Sequence, residues 1–282
     1  MPHDNRTQKT RREFMSWAGA GAAISLLATQ GADAAFAAQA PATLPSRRPC
    51  PLRLGLASYT FLKFTLEQTL AMTVRVGLPY ICLKSFHLPL EANDDQIAQA
   101  VAKVRQSGLE LYGGGVINMR SPKEVEQAFH YAKAAGMKTI VGVPAPDVLS
   151  LVNEKVRQYD IRVAIHNHGP GDKLYPTPAA AYERIKDLDK RIGLCIDIGH
   201  TLRFGVDPIA SARQFADRLL DVHIKDVTAA SAKGQTIEIG RGVIDIPAFL
   251  RALLEIRYQG CLLYTSDAAD DLLCVDLGGR RI

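Results

Sequence analysis

From residue 50 to residue 260, short apolar runs alternate with longer stretches in which apolar positions recur three and four residues apart. The runs at 52–57, 80–83, 109–112, 138–141, 162–165, 193–196 and 219–224 predict seven strands. Helical periodicity predicts helices at 65–76, 94–106, 122–135, 146–159, 178–188 and 208–216, and a final one at 246–256. Pro122, Pro146, Pro178 and Pro208 stand where first turns accept proline, and Gly77, Gly108 and Gly136 stand where helices stop. Strand, helix, strand at this spacing predicts right-handed parallel units. Seven units of roughly thirty residues predict an α/β fold, a (β/α)8 TIM barrel close to closure, with an open doubly wound sheet as the alternative. Gly113-Gly114-Gly115 lacks the GxGxxG spacing and the acidic residue of a dinucleotide loop, so it reads as a tight turn.

In such a barrel the chemistry gathers where the strands end. Those ends carry Ser58 and Tyr59, Lys84 and His87, Asn118, His166 and His168, Asp197 and His200, then His223, Lys225 and Asp226. Of the 7 histidines, only His3 and His130 fall elsewhere. Side chains two apart on a strand share a face, so His166 and His168 form one inward pair and His223 and Lys225 another. Any one of these histidines, taken alone, is an ordinary polar residue satisfied at a strand end. The set of His166, Asp197 and His223, from three strands, is a nitrogen and oxygen donor group suited to Zn, Mn, Co or Fe, whereas Mg prefers more oxygen.

Composition narrows the class. The chain is 47% hydrophobic and 22% charged, the profile of a soluble globular protein. Lys plus Arg number 34 against 29 Asp plus Glu, with no basic stripe interleaved with aromatics, so nucleic acid is not an expected partner. The 5 cysteines show no CxxC spacing, which argues against a disulfide framework or a metal knuckle. At the N-terminus, Thr10-Arg11-Arg12-Glu13-Phe14-Met15 precedes a weak apolar segment at 17–28 and small-residue sites ending at Ala37 or Ala40. Residues 1–40 therefore resemble a twin-arginine signal peptide, which implies the twin-arginine export machinery as a partner and a periplasmic or exported location. The apolar segment is too short for a stable membrane span.

The motifs IHNHG (165–169), CIDIGH (195–200), DVHIKD (221–226) and GRGVIDI (240–246) follow one another in an order and spacing that resemble the sugar phosphate isomerase/epimerase family, the xylose-isomerase-like barrels. The likeness runs from about Leu52 to Gly260. It implies one divalent metal ion (Mn, Mg, Co or Zn) held by His166, Asp197 and His223, with a glutamate at the end of strand eight as the fourth ligand. It also implies a small-molecule carbohydrate partner, and isomerisation or epimerisation at a sugar or polyol carbonyl by removal of the proton beside it. Lys84, His87, His168 and His200 are the candidate acids and bases, or substrate hydrogen-bond donors; Tyr59, Lys225 and Arg241 are candidate substrate contacts. The strand-five ligand is often a glutamate in this family, and here it is His166. An imidazole bound to metal does not also shuttle protons. A metal-dependent lyase or dehydratase on a keto-sugar or keto-glycoside therefore stands as an alternative, and a non-catalytic carbohydrate-binding barrel as another.

After Gly260 the chain reads CLLYTSDAADDLLCVDLGGRRI. No Glu follows Glu255, only 261–264 has strand character, and the stretch resembles the conceptual translation of a sequencing-library adapter. The expectation is a barrel occupying 41–260 that stops before a genuine eighth strand and helix, followed by a non-native tail at 261–282. Strands one and seven would then carry unpaired edges, leaving the chain poorly stable and inactive.

Overall fold

The computed structural model describes residues 51–266. The first strand, β1 (Arg53–Ala57), is followed by β2 (Tyr80–Leu83), β3 (Glu110–Met119), β4 (Thr139–Pro144), β5 (Arg162–His166), β6 (Ile192–Asp197) and β7 (Leu219–Ile224). An eighth strand, β8 (Cys261–Tyr264), lies between β1 and β7 and pairs in parallel with both, with Arg53 opposite Cys261 and Cys261 opposite Asp221. The eight strands close a barrel, which sets aside the open sheet. It also corrects the expected truncation: neither β1 nor β7 is an unpaired edge, and the barrel runs to residue 264 rather than stopping at 260. Ladder hydrogen bonds are made by the backbone, so the apolar run CLLY fills the slot whatever its origin. Residues 1–50 and 267–282, which hold the expected signal and most of the expected tail, lie outside the described residues.

Helices α1 (Leu66–Arg75), α2 (Asp94–Gln106), α3 (Pro122–Ala134), α4 (Leu149–Tyr159), α5 (Pro178–Ile185), α6 (Ile198–Arg203), α7 (Pro208–Gln214) and α8 (Ile246–Glu255) join the strands. Their starts are chemically specified. Thr65 with Gln68 and Asn93 with Gln96 form capping boxes at α1 and α2, and Ser121 and Thr177 cap the prolines that open α3 and α5. No helix among the described residues is long and apolar enough to cross a membrane.

Two apolar layers follow from the alternation of the strands. Outward residues such as Ile81, Leu83, Val163, Ile165 and Ile196 pack with the helices. Inward residues are mostly small: Ala57, Cys82, Val141, Ala164, Cys195, Cys261 and Leu263 fill the barrel with Tyr112. The described cysteines are free and buried. The glycine triplet corrects the expected turn, because Gly113 to Gly115 lie inside β3. A Cβ at Gly113 would stand 2.4 Å from the Thr139 carbonyl oxygen, and one at Gly115, where φ is +148°, would stand 2.2 Å from that of Val141. The glycines are there because β3 runs too close to β4 for side chains.

Candidate active site at the barrel mouth

Extending the inward alternation by one residue pair places Tyr59, Lys84, His166, Asp197, His223 and Thr265 in a layer above the apolar interior. A chamber of about 340 Å³ opens there, walled by Tyr59, Lys84, His166, His168, His223 and Lys225, with His200 and Thr265 also on its surface.

Asp197, fully buried, organises the side chains that line the chamber. Its Oδ1 accepts the backbone N–H of His200 at 2.9 Å and caps α6. Its Oδ2 lies 3.1 Å from Lys225 Nζ, 3.4 Å from His166 Nε2 and 3.9 Å from His200 Nε2. Burial alone would push this carboxyl up, but His200, Lys225 and His166 outweigh it and hold Asp197 well below the usual carboxylate range. Burial moves His166 the other way, down to about 3, so its imidazole is neutral at physiological pH. Its Nδ1 is buried without a hydrogen-bond partner among the described residues. Asp197 and His223 are register partners across β6 and β7.

An ionised carboxylate beside the neutral imidazole of His166 and the ring of His223 is a donor set that fits a divalent cation. A second grouping also exists, since nitrogens of His166 and His223 and Cys195 Sγ all lie within 4.8 Å of one another. Cys195 belongs to the dry interior, where burial raises its thiol and Sγ donates to Asp221 Oδ2 at 3.2 Å. Asp197, already ionised, with Oδ2 buried and 3.4 Å from His166 Nε2, offers the oxygen donor that suits a hard or borderline ion better than that thiol.

The other expected residues divide. Lys84 Nζ donates to the Val116 carbonyl at 3.0 Å and sits 5.9 Å from the Tyr59 ring centroid; burial lowers its pKa. His168 Nδ1 is 3.2 Å from Asp172 Oδ2, and burial lowers this histidine as well. Its ring lies 4.5 Å from that of His166 and 6.1 Å from that of His200. His87, by contrast, does not line the chamber. Its Nε2 donates to the Phe64 carbonyl at 2.9 Å and lies 3.0 Å from Thr69 Oγ1, so it pins the β2–α2 loop to α1. The chain turns after Lys84, and the third residue along faces the protein rather than the mouth. Arg241 also stays outside, exposed, 3.5 Å from Glu238. His130 on α3 pairs at the surface with Asp94.

Three further residues, to which the sequence pattern assigned no role, position the site. Asn167, between the two inward histidines of IHNHG, is buried and donates to Thr201 Oγ1 while accepting the Asp197 N–H, tying β5 to β6 and α6. Strand alternation carried the signal, since the residue between two inward histidines must point outward. Asp226 accepts the backbone N–H groups of Val227, Gly240, Gly242 and Ile244, clasping the GRG loop. Thr265, 4% exposed, continues β8 through its N–H to the Ile224 carbonyl and stands where a strand-eight side chain enters the chamber.

Residues 70–270 match the model of the xylose isomerase-like TIM barrel family, and the chain belongs to that family. The rhizopine catabolism protein MocC of Rhizobium meliloti is 26% identical over 129 residues, which is 40% of this chain and 39% of that protein. This match thus spans well under half of that relative. The crystal structure of YcjR, a 3-keto-D-glucoside 4-epimerase from E. coli, superposes with a TM-score of 0.63 at 18% identity, covering 76% of this chain and 92% of that one. The structure of an IolI protein with a bound zinc atom does so with a TM-score of 0.63 at 20% identity, covering 77% and 89%. At these identities the structures share the fold.

Proposed function

We infer that the chain is a divalent-metal-dependent enzyme of the sugar isomerase/epimerase type, one that moves a proton at the carbon beside a sugar carbonyl. The observation that carries the reading is that His166 and His223 line the chamber while the ionised Asp197 lies buried beside them, its Oδ2 3.4 Å from the Nε2 of a neutral His166 and its backbone in register with His223. The epimerase and zinc-bound relatives named above support it. A bound ion would supply Lewis acidity at the substrate oxygens.

The chain's own residues supply the proton traffic. Lys84 follows the end of β2, and His200 stands in the first turn of the helix after β6, four strands away in a ring of eight, so the two stand on opposite sides of the mouth. Burial lowers the Lys84 pKa, and so favours the neutral amine that a proton acceptor must be. It takes the proton from one face of the substrate carbon, and a histidine across the chamber returns one to the other face. Lys225 keeps Asp197 in place. The Tyr59 ring beside Lys84 limits water on that side.

A second reading is favoured by one observation. The chamber holds His166 and Thr265 where a two-carboxylate epimerase would carry glutamates. With only one strong base, abstraction by Lys84 can instead end in β-elimination: the C–H bond breaks, a C=C bond forms, and the Lys84 ammonium so made returns its proton to the departing oxygen. The test loads the full chain with Mn²⁺ in deuterated water and follows ketoses by NMR. Deuterium entering beside the carbonyl, lost in Lys84→Met and on chelation, is the expected result; an epimer or an unsaturated product separates the two readings. Bound metal with no exchange in any carbonyl sugar would sink both.

We also propose that residues 1–40 export the folded barrel, on the strength of the Arg11-Arg12 pair and the small-residue sites that follow. A reporter fused after Ala40 should reach the periplasm and should stay behind when both arginines become lysine.

A further inference from the structure

The chamber is not an isolated hole. A second cavity of about 420 Å³ shares Lys84, Gly115 and Val116 with it and extends past Asn118 to Gln127 and Tyr131. A third, of about 470 Å³, shares His168 with the chamber and meets the second at Asn118 and Arg120. The three volumes therefore border one another, sharing wall residues along the segment that leads from β3 to α3. Small-molecule sites run from about 300 to 1,000 Å³, so the chamber alone suits one small ligand and the bordering cavities offer room for a second group beside it.

The walls of the extension are fixed before any ligand arrives. Gln127 Nε2 donates to the Leu90 carbonyl at 3.0 Å, Tyr131 Oη donates to that of Leu88 at 3.1 Å, and the Glu124 carboxylate accepts the Arg120 backbone N–H. Over the two side cavities together the charges balance: Lys84, Arg120 and Lys173, with Arg120 shared by both, face Glu91, Glu124 and Asp172, the last already bonded to the backbone of Leu174 and Tyr175. A phosphate would need a surplus of cations. Amide, hydroxyl and paired charged groups instead match an uncharged ligand rich in hydroxyls.

We propose that the cleft beyond Lys84 and Val116 is a subsite for a second, uncharged sugar ring, and that the substrate is a carbonyl-bearing glycoside or disaccharide rather than a free or phosphorylated monosaccharide. Asn118, which lines both side cavities, is the residue that reads the second ring. This rests on the reading of the chamber as the place where a sugar carbonyl reacts.

The test is calorimetric binding to the Mn²⁺-loaded full chain of D-fructose, D-fructose 6-phosphate and three keto-disaccharides (turanose, lactulose and isomaltulose) that carry the second ring at different positions. One good hydrogen-bonded contact is worth about 1.4 kcal/mol, so at least one disaccharide should bind about tenfold or more tightly than fructose. Asn118→Ala, at an exposed position, should bring that ratio toward one. Disaccharides that bind no better than fructose, or a gain confined to the phosphate, would overturn the subsite. If fructose exchanges its carbon-bound hydrogen while the disaccharides gain nothing, the subsite fails and the proton-transfer reading stands; if no sugar binds, both fail.

Discussion

Lys225 crosses Gly199 so closely that a Cβ on the glycine would lie 2.5 Å from Lys225 Cγ and 2.9 Å from its Cδ. The glycine of the DIGH motif is thus the gap through which the lysine of the HIKD motif reaches Asp197 Oδ2 at 3.1 Å. Gly199→Ala is expected to force the buried mid-chain of Lys225 aside, at roughly 1–3 kcal/mol of stability, as overpacking does. Proton exchange should fall with it. Adding Lys225→Ala removes the clash, so the double variant should recover stability relative to Gly199→Ala without recovering activity. Chemical denaturation and the exchange assay together check this; additive stability losses would show that the contact is not the cause.

The ligand assignment has its own outcome. Asp197→Ala and His223→Ala should each abolish stoichiometric metal, measured by elemental analysis of the dialysed protein. Cys195→Ser should keep it, and loss in Cys195→Ser alone would move the third ligand into the barrel interior. Leu263 is the register partner of His223, so Thr265, two residues on, presents its side chain to the chamber. Thr265→Glu is expected to add a carboxylate to the donor set and tighten Mn²⁺ binding by about tenfold or more, ~1.4 kcal/mol. Unchanged affinity would mean that the β8 end does not reach the ion.

The strands were legible wherever β-branched and aliphatic runs had polar or glycine borders: the ranges 80–83 and 219–224 coincide with β2 and β7. Three misreadings have physical causes. The triplet 113–115 carries the composition of a turn, but its glycines answer to the closeness of β4, which is a tertiary fact. Helix α6 is six residues long and begins inside the DIGH motif, too short for any periodicity. The resemblance of 261–282 to an adapter told against a strand that the local pattern CLLY permitted, and the barrel uses it. The rim was visible as a set because alternation fixes which face a strand residue takes. His87 and Arg241 sit in loops, where no such rule holds.

His87 gives a pH dependence remote from the candidate ligands. Burial lowers its pKa, opposed by the carbonyls of Phe64 and Phe61. The unfolded chain takes up a proton near pH 6.5, while the folded protein resists until a lower pH. Unfolding then binds protons, so the His87 contribution to stability is lost as pH falls from about 6.5 toward the folded value and is fully present above it. Removal of the histidine in His87→Gln should therefore flatten this part of the profile. Urea titrations of both proteins at several pH values check it, and a difference between them that stays constant across the window would contradict it.

Asp226 provides the strongest expected loss of stability without any metal or substrate. Its carboxylate is fully buried and accepts four backbone N–H groups, Oδ1 from Val227 and Ile244 and Oδ2 from Gly240 and Gly242. Asp226→Asn keeps the shape but turns one oxygen into an amide donor facing two N–H groups. Hydrogen bonds to a charged acceptor are worth about 1.5–3 kcal/mol each, and stranded donors add to the cost, so about 3 kcal/mol or more is expected. The loss is local in origin. Amide exchange should rise first at Gly240, Gly242 and Ile244, while the β5 and β6 amides keep their protection until global unfolding. Uniform loss of protection across the barrel would instead make Asp226 part of the core's cooperative unit rather than the clasp of one loop.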